Sequence, residues 1–116
     1  MPSARMRRIN EMLREVVGEA ISTDLNDPRI GFVTVIGVEV SPDLSHANVR
    51  VSVMGSDDDK AKSLEGLASA ARYIRAQLSN ELHLRTSPEL HFHLDRGIEH
   101  AQRIDRVLKE LKETDD

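Results

Sequence analysis

Between Lys60 and Pro88 the apolar residues Leu64, Leu67, Ala71, Ile74, Leu78 and Leu82 recur in steps of three and four. That spacing lays them along one stripe of an α-helix. It predicts one long helix, or two joined end to end, followed by a basic turn. A helix with a single greasy stripe must bury it against another layer. Off the stripe stand the small residues Ala68, Ser69 and Ala70, with Arg72 beside them. Function is expected on this small-residue, arginine-bearing side, which the covering layer leaves to solvent.

A chain of 116 residues supports one hydrophobic core; two would each be too small to hold. The expected organisation is one domain over residues 1–112 and a disordered tail over 113–116. With no Trp, one Tyr and two Phe, the core is aliphatic and platforms for stacking bases are scarce. The absence of cysteine excludes a disulfide framework, a thiolate metal site and a cysteine nucleophile, and it fits a reducing cytoplasm. The amino terminus is basic but lacks the apolar centre of a signal peptide, and no run reaches membrane-spanning length. A soluble cytoplasmic protein with no membrane partner is therefore expected.

A net charge of −4 speaks against a generic polyanion binder, yet its distribution matters more than its sum. Arg5, Arg7, Arg8 and Arg14 crowd the start, while acid collects in Asp57-Asp58-Asp59 and from Glu110 to Asp116. Twelve of the basic residues are Arg and four are Lys. Guanidinium suits planar recognition of phosphate and carboxylate, although a GC-rich genome gives the same bias without any function.

In chain order, residues Met6 to about Leu25 predict a first helix, buried along Met6, Ile9, Leu13, Val16, Val17 and Ala20. Asn26-Asp27-Pro28 stops it, because the residue before proline is pushed out of the helical region. A strand follows from Phe32 to Val40; Val33 and Val35 share one parity and Val38 and Val40 the other, so a bulge at Gly37 is expected. Ser41-Pro42-Asp43 makes a turn, and His46 to Met54 alternates strictly with Ala47, Val49, Val51 and Val53 inward. The pair reads as a half-buried antiparallel hairpin. After the long helical segment, Leu90, Phe92 and Leu94 mark a third strand, and Ile98 to Lys112 a final amphipathic helix. Three strands with one apolar face, covered by helices on that face, make a two-layer α+β sandwich.

The run Asp27-Pro28-Arg29-Ile30-Gly31-Phe32-Val33-Thr34-Val35 resembles the signature of the bacterial ribosome-binding factor A family. So does Val38-Glu39-Val40-Ser41-Pro42-Asp43-Leu44-Ser45-His46-Ala47 leading into Val49-Arg50-Val51-Ser52-Val53. Ile74-Arg75, Leu84-Arg85 and Pro88-Glu89-Leu90-His91-Phe92 are similar to its second half, so the likeness spans about Arg5 to Leu108. It implies a type II KH-like fold in the order α-β-β-α(kink)α-β-α. It further implies a non-catalytic factor that binds free small ribosomal subunits near the start of their rRNA, assists late processing of the rRNA 5′ end, and serves growth in the cold. In that family the middle helices meet at an alanine-any-glycine kink, which falls here on Ala70-Ala71-Arg72, with Arg in the glycine position. Without glycine that backbone loses easy access to left-handed conformations, and the apolar stripe keeps its phase across it. The residues themselves thus argue for a shallower kink or a merged helix.

Arg72, Arg75 and Arg85 are the expected phosphate contacts, with Ser69, Ala70 and Ala71 at the kink beside them. Guanidinium makes two parallel bonds to phosphate oxygens. Each has a structural alternative: a solvated charge for Arg72, a snorkelling or ion-paired role for Arg75 at the rim of the stripe, and helix-end complementation for Arg85. Arg5, Arg7 and Arg8 read either as a basic arm on rRNA or as a solvated helix start with no partner; positive charge at a helix start is intrinsically unfavourable, which tilts the reading to the arm. His91, His93 and Asp95 alternate along one strand face, which is metal-ligand chemistry in principle, but nothing near them in sequence completes a site. No metal, cofactor or catalytic residue is expected, and the chain reads as a monomer. Two rivals remain, a protein–protein module using the exposed sheet face and, more distantly, a metal-dependent hydrolase built on the strand histidines.

Overall fold

The computed structural model of the chain describes residues 3–83 and 87–95. Helix α1 (Ala4–Glu19) begins at Ser3, whose hydroxyl accepts the Met6 N–H at 3.2 Å, and continues into a π-helical turn, Ala20–Asp24. Strands β1 (Val33–Val40) and β2 (His46–Val53) follow, then helix α2 (Asp57–Leu82) and strand β3 (Glu89–Leu94). The sheet order is β1-β2-β3. β1 and β2 are antiparallel, whereas β2 and β3 run parallel, joined by α2 as the crossover that parallel pairing requires.

The strict alternation of β2 makes it the central strand: Ala47, Val49 and Val51 are fully buried and Val53 nearly so, while every second residue is exposed. The parity change in β1 resolves as expected. Pairing shifts between Val35 and Gly37, leaving Ile36 as the extra residue, so Val35, Val38 and Val40 all reach the core. Leu13, Val17, Ala20 and Ile21 from the first helical segment and Leu67, Ile74 and Leu78 from α2 cover that face. The opposite face, with Asn48 and Arg50 at its centre, is open.

The structure corrects the expected kink. Residues 69–73 lie within one uninterrupted α2, so the two joined helices are a single helix of 26 residues. Arg72 in the glycine position and the unbroken burial of Leu67, Ile74 and Leu78 account for this. A capping box opens the helix, with Ser56 and Asp59 bonding each other's backbone N–H, and Asp57, Asp58 and Asp59 face its positive end. It ends at His83 in the left-handed conformation (φ 51°). The final helix expected over residues 98–112 and the tail lie outside the described residues.

Two buried positions on α2 lie off the expected stripe. Gly66 meets Ile30, with an added Cβ falling 2.6 Å from Ile30 Cγ1. The Ser63 hydroxyl accepts the Gly31 N–H at 3.1 Å. These contacts fasten the loop that enters β1, which Pro28 has already turned: the Ile30 N–H reaches the Asp27 carbonyl at 3.0 Å.

Candidate nucleic-acid interface

One flank of the α2 stripe leans over the edge strand. Ala68, with Ala71 from the stripe itself, leaves a groove of about 470 Å³ against β3, walled by Leu64, Arg72 and Arg75 on the helix and by residues 89–93 on the strand. Arg72 is exposed and has no carboxylate partner among the described residues. Ser69 is also exposed, Ala71 is half-buried, and Ala70 packs against the core.

Arg75 occupies the same groove in a different condition. Its Nη2 donates to the Ser87 carbonyl at 3.0 Å, and the Ser87 hydroxyl donates back to the Arg75 carbonyl at 3.0 Å. Its Nε is buried without a partner among the described residues. This guanidinium is already engaged in holding the approach to β3, by a hydrogen bond to a carbonyl and not by an ion pair. Arg85 lies outside the described residues.

Arg5, Arg7 and Arg8 are exposed along the first turns of α1. Arg7 and Arg14 border a second depression, about 340 Å³, with Gly37 and Arg50 on its far wall. Arg14 grips Glu11 through Nε at 3.0 Å and through a closer Nη2 contact, and this hydrogen bonding holds the Glu11 carboxyl below its ordinary pKa. Among the described residues the arginines therefore do not gather on one side. They divide between the two edges of the sheet, Arg72 and Arg75 at β3 and the α1 arginines beside β1. Arg29 is withdrawn from either set by Asp27 at 2.7 Å and Glu65 at 3.7 Å. Hydrogen bonding to the Arg29 guanidinium is also what lowers the Asp27 pKa.

Sequence reasoning passed over Arg50. In the register of the hairpin it faces Gly37, and its guanidinium lies where a side chain at Gly37 would stand, Nη2 only 2.5 Å from the site of a Cβ. The bulge at Gly37 was the available signal, since it fixes which residue Arg50 opposes.

The histidines on β3 do not act together along their own strand. His91 Nε2 instead meets His46 Nδ1 at 3.1 Å and His93 Nε2 meets Asn48 Oδ1 at 3.0 Å, both across to β2. Asp95 lies just beyond β3, its N–H bonded to the Val51 carbonyl at 2.8 Å. Among the described residues no helix is long and apolar enough to cross a membrane.

Comparison with known proteins gives this arrangement a family. The sequence model of the family described as Ribosome-binding factor A matches residues 5–108. The chain belongs to that family. A relative described as Ribosome-binding factor A in Thermomicrobium roseum is 47% identical over 113 residues, covering 97% of this chain and 88% of the relative. The crystal structure of ribosome-binding factor A from Thermus thermophilus superposes with a TM-score of 0.72 at 28% identity, over 79% of this chain and 97% of that one. Thermus thermophilus ribosome-binding factor A coordinates fitted into a cryo-EM map of a 30S complex give a TM-score of 0.62 at 30% identity, over 74% of this chain and 90% of theirs. The stretch matched to the Ribosome-binding factor A family contains every candidate site residue named above, from Arg5 to Arg85. The α+β sandwich with a three-stranded sheet is the architecture this family member shares with those structures.

Proposed function

We propose that this chain is a non-catalytic maturation factor of the small ribosomal subunit. It binds free small subunits or their precursor rRNA in the cytoplasm as a monomer and assists late processing of the rRNA 5′ end, with most demand for it in the cold. The observation that carries the reading is the family match over residues 5–108, together with a structural relative fitted into a 30S complex. Docking runs through phosphates. Arg72, lacking a carboxylate partner among the described residues and set on the wall of the α2–β3 groove, supplies one contact; Arg85, three residues after Leu82 in the sequence, supplies another. Arg5, Arg7 and Arg8 reach a separate stretch of backbone from the other edge of the sheet, and Ser69, Ala70 and Ala71 let rRNA approach α2 closely. Arg75 acts chiefly by shaping the groove. With so few aromatic residues, specificity rests on rRNA shape and phosphate spacing more than on base edges.

Co-sedimentation with free small subunits across a salt series tests this. Wild type is expected to bind free subunits in preference to assembled ribosomes. Arg72→Glu and Arg85→Glu are each expected to weaken binding and to flatten the slope of log K against log salt by about one per lost phosphate contact, with unchanged thermal stability. If both variants match wild type, these two residues are not part of the interface. If wild type fails to sediment with free subunits, the reading itself fails.

A further inference from the structure

We propose that His46, Glu89 and His91 form a binding site for a divalent ion of the zinc class on the open face of the sheet. One imidazole nitrogen of each histidine and a carboxylate oxygen of Glu89 lie within 4.8 Å of one another. His46 Nδ1 and His91 Nε2 are 3.1 Å apart, and His46 Nδ1 stands 3.8 Å from Glu89 Oε2. Zinc bonds nitrogen or oxygen at about 2.0–2.1 Å, so the ligand atoms of a tetrahedral ion stand about 3.3–3.4 Å apart. Of the three edges among these ligand atoms, His46–His91 is a little short, His46–Glu89 a little long, and His91–Glu89 no longer than 4.8 Å. Ion binding therefore rotates the exposed side chains to bring all three to that spacing.

The fold, not the sequence spacing, assembles this donor set. In the parallel β2–β3 register His46 pairs with Glu89, and His91 lies two residues further along the same face. The backbone beneath is fixed from both sides. The Glu89 N–H bonds the Ser45 carbonyl at 2.9 Å, while the His46 N–H bonds the Ser41 hydroxyl at 3.0 Å and its carbonyl accepts the Ser41 N–H at 2.7 Å. Two imidazoles and one carboxylate match zinc and its neighbours in the transition series better than calcium or magnesium, which favour all-oxygen shells. His46 and Glu89 are exposed, so a tetrahedral ion keeps one position for water or another external oxygen donor, as three-ligand sites do.

The test is calorimetric titration of tag-free, full-length protein with zinc chloride near neutral pH, repeated with Co²⁺ followed by visible absorption. The expected result is saturation at one ion per chain, with Co²⁺ bands of four-coordinate intensity. His46→Ala and His91→Ala each weaken binding on the order of tenfold or more, Glu89→Gln weakens it less, and His83→Ala and His93→Ala leave it unchanged. Circular dichroism melts confirm that each variant is folded. The proposal is overturned by an absence of saturable binding, or by binding that survives both His46→Ala and His91→Ala in folded protein. Neither result bears on subunit co-sedimentation, so this site and the ribosomal reading stand or fall apart.

Discussion

Arg75 and Ser87 bind each other twice, guanidinium to carbonyl and hydroxyl to carbonyl, both at 3.0 Å. The exchange closes the chain between the last turns of α2 and the start of β3 with a charge-assisted bond. Arg75→Ala removes it and leaves the Ser87 carbonyl without that donor, a loss expected to be about 1–3 kcal/mol. Urea melts should show this drop for Arg75→Ala and none for Arg72→Glu. An unchanged midpoint for Arg75→Ala would return that residue to the list of free phosphate contacts.

Gly66 is required by a close approach. A Cβ there meets Ile30 Cγ1 at 2.6 Å and Arg29 Cβ at 3.4 Å. Alanine in mid-helix gains about 1 kcal/mol in propensity, but forcing β-branched Ile30 aside costs about 1–3 kcal/mol. Gly66→Ala is therefore expected to destabilise, and to cost less in an Ile30→Ala background, which lacks the Cγ1 atom it meets. Equilibrium denaturation of both variants decides it, and a stabilised Gly66→Ala would show that the loop yields freely.

Most of this fold was legible because its elements carry strong local signals. The alternation of Ala47, Val49, Val51 and Val53 needs no tertiary information, and the parity switch around Gly37 located a bulge that the pairing contains. Ser63 and Gly66 carried no such signal. Their burial follows from where the 29–31 loop crosses α2, which no periodicity encodes. The same holds at the surface. That Arg72 is exposed follows from its place on the helix, but the division of the arginines between two sheet edges follows from sheet order. The partners of His91 were equally hidden, because parallel register with β2 sets them.

Arg50 lies across Gly37 because glycine leaves the space. A Cβ at Gly37 would fall 2.5 Å from Arg50 Nη2, the far end of a flexible side chain, so Gly37→Ala displaces the guanidinium at little cost in packing. Stability is expected to move by no more than about 0.5 kcal/mol. If the β1-edge arginines touch rRNA, subunit binding in low salt should weaken in parallel with Arg50→Ala. A binding defect in Arg50→Ala alone would mean that Arg50 keeps its contact after displacement. Wild-type binding by both would exclude it from the interface.

Asp43 organises the turn between β1 and β2 and contributes to how the fold responds to acid. Its Oδ1 accepts the Ser45 hydroxyl at 2.7 Å, the Ser41 hydroxyl at 2.7 Å and the Ser45 N–H at 3.1 Å. These bonds, the Ser45 hydroxyl foremost, bring its pKa from 3.8 down to about 2. A carboxylate depressed in the folded state stabilises fully above its unfolded pKa, and that contribution is lost as pH falls, because the unfolded chain takes up the proton first. Asp43→Asn, which cannot ionise, is therefore expected to melt below wild type at neutral pH. The gap should close progressively as the pH falls from about 4 to about 2. Thermal melts of both proteins across that range measure it. A gap that stays constant with pH would mean the carboxylate is not held by the turn, and the rigidity of the His46 backbone beside it would need another source.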